Sequence, residues 1–454
     1  MNNEDFEYDF WDQAQLKALA AYELYENGSM GKALGELDCA IKLNPSNSAL
    51  HFNRAITLDA MERFDEAIGA YEDALELSPD DPEILNAIAV DYTRTGRYDM
   101  AITTFEQITM MCPEFEPAYC NRIITYTELG DFEKAEEMFY MAQQINSSCP
   151  LCYYNIGNSL FTRGQYKRAI WCWSKTFELE STHPQINYRI AQGHWALGNH
   201  ELARKHFLAQ IRIDPGDLEV ILDYGIFLLE CGEIDNAREK FNRILELSPE
   251  YAPAFFYLGE VAFTTGDLDE AMAYYKQAVD IDYNYPGPRF RLALCELEQD
   301  NVPAALEYLK QELEIGIEDP DVLLSISSVL LKNGQTDAAM NCALQVLDID
   351  ENRAQAYHFL AIASAMKGEY DNANEFFENA LRLDPDDQEL LRNIARTQLN
   401  CGKAEDALKV LEECGKDDSD SAALKRQIKL HIFANNTRRA ISTALQTPKR
   451  LFQC

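Results

Sequence analysis

The chain has 454 residues, 47% hydrophobic and 11% aromatic, which excludes a disordered protein and suffices for an extended core. Seventy-six Asp and Glu against forty Lys and Arg give a formal charge of −36, so neither nucleic acid nor an anionic membrane surface is an expected partner. No basic-then-apolar leader opens the sequence and no run approaches the ~18 apolar residues of a membrane span; with these features, the twelve cysteines read as reduced thiols of a cytoplasmic protein.

Residues 4–13, EDFEYDFWDQ, carry four aromatics and five carboxylates. Residues 1–13 are expected to form an acidic aromatic cap, with Phe6, Phe10 and Trp11 on the first helices and the carboxylates in water. From residue 14 to residue 421 a single period of 34 governs the chain without insertion or deletion. It divides into twelve units: 14–47, 48–81, 82–115, 116–149, 150–183, 184–217, 218–251, 252–285, 286–319, 320–353, 354–387 and 388–421.

Each unit has a turn position, occupied by Gly in ten of twelve cases (Gly28, Gly96, Gly130 and so on to Gly402) and by Glu62 and Asp300 in the others. Five residues later stands an Ala in every unit, from Ala33 to Ala407. Seven residues before the turn the residue is small, except Ile123, and nine after it is large, as in Tyr71, Phe105, Trp173 and Phe207, except Ala343. Apolar residues at spacings of three and four on both sides of the turn predict two amphipathic helices per unit. Small residues let the two backbones approach, and the large residue is expected to fill the gap toward the next unit. Pro45, Pro79, Pro113, Pro215, Pro249 and Pro385 stop the second helix; Pro150, Pro184, Pro286 and Pro320 are expected in the first turn of the following helix.

This pattern resembles the tetratricopeptide repeat (TPR) family, over residues 14–421. The resemblance implies an all-α chain of tandem helix-turn-helix repeats stacked in a right-handed superhelical α-solenoid with one continuous core, first helices lining an inner groove. Residues 422–454 read as a basic, degenerate thirteenth helical pair, with Lys425, Arg426, Lys429, Arg438, Arg439, Lys449 and Arg450 and no acid.

On each first helix a second stripe, ten, six and three residues before the turn, faces away from the core and, by the family's geometry, into the groove. In the fifth to tenth units it is largely apolar: Tyr154, Phe161, Tyr188, Trp195, Leu222, Ile226, Leu229, Phe256, Phe263, Phe290, Leu294, Leu297, Leu324 and Leu331, interspersed with Asn158, Gln192, Glu260 and Ser328. Such a stripe suits an apolar or amphipathic segment of another protein; self-burial or contact between copies is the competing explanation. In the second to fourth units the stripe turns polar, with Asp59, Asn86, Thr93 and Thr127, and Arg392 and Arg396 in the last unit could receive an acid. The carboxylate-clamping set of co-chaperone members is missing, and the groove asparagines of the sugar-transferase members are reduced to the discontinuous Asn53, Asn121, Asn155 and Asn393.

No phosphate-binding Gly loop, HExxH or GxSxG occurs. The CPLC at Cys149–Cys152 lacks two ligands for a metal, with only Cys112 and Cys120 nearby, and reads as a helix start that happens to hold two thiols. His183, His194, His200 and His206 crowd the sixth unit but are not expected to converge. The chain therefore reads as a non-enzymatic interaction scaffold without metal or cofactor. The alternative is a structural protein that self-associates, its acidic N-terminal segment meeting the basic C-terminal one of a second copy, possible as a homo-oligomer.

Overall fold

The computed structural model describes residues 3–385, 387–413 and 419–446, with side chains omitted for residues 3–12, 413, 435, 436 and 438–446. Among the described residues there are twenty-five α-helices and no strand, from α1 (Asn3–Glu26) to α25 (Ser419–Gln446). Odd-numbered helices up to α23 (Gln388–Asn400) are the first members of the periods and even-numbered ones the second. All twelve turn residues have positive φ, between 70° and 83° for the glycines and 59° for both Glu62 and Asp300. The turn closes the same way with or without Gly: the N–H after it reaches back five residues, Asp131 to the Tyr126 carbonyl at 2.8 Å, Arg63 to Leu58 at 3.0 Å, Asn301 to Glu296 at 2.8 Å.

The invariant Ala is buried in every period, Ala339 at 1% exposure and the others at 0%. The large residue nine past the turn packs both toward the next period, as expected, with Phe207 5.5 Å from Tyr224 and Phe241 5.5 Å from Tyr257, and into its own period. A Cβ added to Gly157 would lie 2.5 Å from Trp173 Nε1, and one added to Gly259 would lie 2.4 Å from Tyr275 Cε1. The small residue of the first helix is the socket for the aromatic of the second. Where Ile123 fills the socket, Phe139 remains half-buried and turns to the next period, 5.4 Å from the Tyr153 ring centroid.

The helices gather into two units, Met1–Glu233 and Ile234–Cys454, which divide inside the seventh period between α13 (Leu218–Glu230) and α14 (Ile234–Leu247). In the first unit the buried side chains group from Ala55 to Ala118 and from Tyr119 to Ile190. In the second they group around Tyr275, around Leu309 and Leu330, around Phe377, and around Leu411 with Ile428. The period itself carries no mark of the division, since Gly232 has φ 77° like its counterparts.

The segment ahead of the first repeat is helical and continuous with α1, and the expected cap residues Phe6, Phe10 and Trp11 fall among those whose side chains are not described. Two further expectations are corrected. Over its described residues the expected thirteenth pair is one helix, α25, because Ser419–Gln446 holds neither Gly nor Pro to break it. Pro150 and Pro320 do open α9 (Pro150–Thr162) and α19 (Pro320–Lys332), but Pro184 and Pro286 stand before α11 (Ile186–Ala196) and α17 (Pro288–Glu298). Those two helices start late, behind Gln185 at φ 55° and Gly287 at φ 105°.

Candidate functional site

None of the fourteen stripe residues is openly exposed. Tyr188, Leu324 and Leu331 are buried at 1%, 3% and 7% exposure, and the other eleven are half-buried. Three positions of the stripe are thus closed off, and the other eleven keep part of their surface. In the second unit Leu324 and Leu331 belong to the core, with Phe290 and Leu297 packed on it. Phe256 is ringed by Tyr257, Tyr275 and Tyr285 at centroid distances of 5.1, 5.8 and 5.9 Å. Arg291 lies 5.8 Å from the Phe263 ring centroid and pairs with Glu260, which also accepts from the Tyr275 hydroxyl at 2.6 Å.

In the first unit the stripe opens into a cleft of about 400 Å³, lined by Phe161 of α9, by Gln192, Trp195 and Ala196 at the end of α11, and by Glu230 at the end of α13. Its walls are fixed from behind. Trp195 packs edge-on against Phe207 and Phe227, at 6.0 and 5.9 Å, and its Nε1–H donates to Glu230 Oε2 at 2.7 Å. Phe161 stands 5.5 Å from Trp173, whose own Nε1–H donates to Asn158 Oδ1 at 3.1 Å. Gln192 is held by a polar chain crossing three first helices. Arg189 donates to the Tyr154 hydroxyl at 3.3 Å and to Gln192 Oε1 at 3.0 Å, Gln192 donates to Asp223 Oδ2 at 3.1 Å, and the Tyr188 hydroxyl donates to the same oxygen at 2.7 Å. Burial first, then Asp223, drives the Tyr188 phenol upward, so it remains a donor. The cleft has apolar walls, a fixed amide and a rim carboxylate, with no nucleophile–base pair among these residues.

Sequence reasoning passed over other openings. A smaller hollow of about 160 Å³ lies over the stripe of the first two periods, lined by Ala18, Tyr22, Tyr25, Asn53 and Ile56, with Tyr22 63% exposed. On second helices a hollow of about 360 Å³ is lined by Tyr140, Lys167, Arg168 and Trp171, Trp171 being 55% exposed. Another, of about 490 Å³, lies between α18 (Val302–Glu314) and α20 (Thr336–Ile349). An exposed Trp on a second helix was visible in the sequence, but a reading confined to first helices had no reason to weigh it.

In the polar stripe of the second to fourth periods Arg94 pairs with Asp59 and, at 3.3 Å, with buried Asp91, and Asn121 donates to Asn86 at 3.0 Å. Burial and then Asp59 push the Asp91 carboxyl well above the usual carboxylate range. Asn155 is buried and donates to the Cys120 carbonyl at 3.0 Å, while Asn393 meets His358 at 3.0 Å and Arg396 at 3.1 Å.

Two expectations about reactive side chains fail. The histidines converge in part: His194 and His206 stack at 6.0 Å, and His206 Nδ1 lies 3.0 Å from Asn187 Oδ1. Burial, then His194, pushes His206 from 6.5 down to about 4, and burial alone lowers His194. The cysteines are not all free thiols, because Cys120 and Cys152 are joined as a disulfide. Both lie beside Cys149 and Glu116, the four ligating atoms falling within 4.8 Å of one another. Glu116 was missed, and Cys112 does not join the group. Burial, then Glu116, pushes the Cys149 thiol up to about 12.

The hairpin period and the sockets together define a tandem helical-repeat protein. Sequence profiles described as "Tetratricopeptide repeat" match residues 154–217, 228–287 and 324–388, and residues 262–314 and 365–449. A profile for "Psidin, N-terminal TPR repeats region" matches residues 16–148. The chain belongs to the tetratricopeptide repeat family. No curated protein sequence matches it. Solved structures similar to it include the APC/C hetero-tetramer Cut9–Hcn1 (15% identity over 92% of this chain and 96% of that one, TM-score 0.41). Yeast Tom70 is similar at 14% identity over 96% of this chain and 99% of that one, with a TM-score of 0.41. YrrB, a TPR protein with an unusual peptide-binding site, is similar at 20% identity over 43% of this chain and 97% of that one, with a TM-score of 0.35. Among the described residues no helix is long and apolar enough to cross a membrane.

Proposed function

We propose that the chain is a non-catalytic interaction scaffold whose first unit takes a segment of another protein across α9, α11 and α13, seating one apolar side chain between Phe161 and Trp195. The observation that carries this reading is the coincidence of the 400 Å³ cleft with two stripe aromatics and a pre-positioned polar network. A ready-made pocket lowers the ordering cost of binding, and buried aromatics are the residues on which binding energy concentrates. Charge narrows the partner. Glu230 stands at the cleft, exposed Glu219 and half-buried Asp223 lie on the same helix, and the chain carries −36, so Lys or Arg beside the apolar anchor is favoured. Fourteen apolar contacts are no longer proposed, since Tyr188, Leu324 and Leu331 are buried as they stand.

A synthetic peptide library with apolar anchors flanked by basic, acidic or neutral residues tests the reading. Basic-flanked members should be enriched, and Trp195→Ala or Glu230→Lys should weaken them about tenfold or more. Glu230 is exposed, so its variant leaves the fold intact. Retained binding in both variants with loss in Trp171→Ala would move the site to the second-helix hollow and sink the proposal.

A further inference from the structure

We propose that, once the Cys120–Cys152 bond is reduced, Cys120, Cys149, Cys152 and Glu116 form a tetrahedral binding site for a thiophilic divalent cation, Zn²⁺ by preference, that clamps α7 (Glu116–Glu128) to α9. The donor set comes from two chain segments; its three sulfurs are buried, Cys120, Cys149 and Cys152 being 1%, 5% and 0% exposed, and Glu116 is half-buried. Tetrahedral Zn²⁺ with Zn–S near 2.3 Å and Zn–O near 2.1 Å requires S···S edges of about 3.8 Å and S···O edges of about 3.5 Å. Cys120 Sγ lies 3.7 Å from Cys149 Sγ, and Glu116 Oε1 lies 3.4 Å from both Cys120 Sγ and Cys152 Sγ. The bonded pair must separate, and the remaining edges already lie within 4.8 Å.

The surroundings carry the marks of a ligand shell. Cys149 caps α9 ahead of Pro150, and the Cys152 N–H donates to Cys149 Sγ at 3.2 Å, which places a thiolate at the positive end of a helix. Asn146, closing α8 (Phe132–Ile145), donates through Nδ2 to Glu116 Oε2 at 3.1 Å and accepts from the Ser148 N–H at 3.1 Å. This leaves Oε1 facing the sulfurs with its carboxylate orientation fixed, as second-shell groups do at metal centres. A phosphine gives the disulfide two electrons and leaves as its oxide, water supplying the oxygen and the two thiol protons; the cation then replaces the three thiol protons, which pass to solvent. The disulfide and the loaded ion are alternative states of one site.

The test uses the full chain, reduced with a phosphine, stripped with a chelator and titrated anaerobically with Co²⁺ and then Zn²⁺. One Co²⁺ per chain is expected, with sulfur-to-cobalt charge transfer and the visible bands of a tetrahedral centre, displaced by Zn²⁺. Asn146→Ala should weaken binding about 10- to 100-fold. Glu116→Gln should keep the charge-transfer band and shift the visible ones, Cys149→Ser should abolish tetrahedral thiolate binding, and Cys112→Ser should leave it unchanged. Absence of a tetrahedral cobalt–thiolate spectrum in the reduced wild-type chain, which requires no variant to fold, would overturn the proposal. So would an unchanged spectrum in Cys149→Ser.

Discussion

Gly157 and Gly259 show how a side chain that is not there organises a repeat, because each is the space in which an aromatic ring of the next helix lies. Two effects compete when Ala replaces such a glycine: helix propensity gains about 1 kcal/mol, and the added Cβ collides with a buried ring. At 2.5 Å from Trp173 and 2.4 Å from Tyr275 the collision wins, so Gly157→Ala and Gly259→Ala should destabilise by roughly 1–3 kcal/mol. Gly69 has nothing within 4 Å, and Gly69→Ala should stabilise by about 0.5–1 kcal/mol in the same denaturant titration. The turn residues make a converse prediction: Glu62→Gly and Asp300→Gly should each stabilise, by about 1 kcal/mol for Glu62 and less for Asp300, which tolerates positive φ better. Unchanged midpoints would show that the turns carry no strain. His206 supplies a pH signature. Its folded form resists a proton that the unfolded chain accepts near pH 6.5, so stability present above 6.5 is lost as pH falls toward 4, by no more than about 3 kcal/mol. Measured from pH 7 to pH 5, the loss should shrink in His206→Asn; equal losses would refute the assignment. Gly157, Gly259, Glu62 and Asp300 could be read from the period. The stacking of His194 on His206 could not, since it joins residues on different helices whose faces a one-dimensional pattern does not align.

The start of α17 depends on a residue outside that helix. Glu312, fully buried on α18, accepts from the backbone N–H groups of Gly287, Arg289 (3.1 Å) and Phe290 (3.3 Å), taking the place of a local cap. Burial raises its carboxyl and these bonds oppose the rise. Glu312→Ala would orphan three donors and leave a cavity, costing about 3 kcal/mol or more, with faster amide exchange at Arg289–Phe290 than elsewhere in the unit. Slowing or uniform exchange would contradict the capping role. Helix existence was legible almost everywhere because the 34-residue period repeats both apolar spacing and turn chemistry. Helix limits were less so: Pro184 and Pro286 signal a break without saying on which side of it the helix resumes. At α25 the lack of a stop signal was noticed, but the repeat pattern was extended through it although nothing in Ala422–Gln446 supplies a turn.

At the scale of the molecule, the family and the all-α architecture were legible because twelve copies of one pattern average out local ambiguity. The candidate site was legible in register but not in exposure. Position in the period tells which face a residue occupies, whereas burial depends on how the next helix lies over it, which is why Tyr188 is enclosed and Phe161 and Trp195 border a cleft. The basic Arg438, Arg439, Lys449 and Arg450 and the aromatic Phe6, Phe10 and Trp11, on which head-to-tail association would rest, lie outside the side chains described. The central claim is that a basic-flanked apolar segment binds over Phe161 and Trp195. It is tested most directly by placing a photo-crosslinking amino acid at Ala196, which lines the cleft, and separately at exposed Lys205 on α12 (His200–Ile213), then irradiating with a library-selected peptide and mapping the adducts by mass spectrometry. Adducts should form from position 196 through the peptide's apolar anchor and be suppressed by Glu230→Lys; equal labelling from positions 196 and 205, or labelling unaffected by Glu230→Lys, would contradict the account.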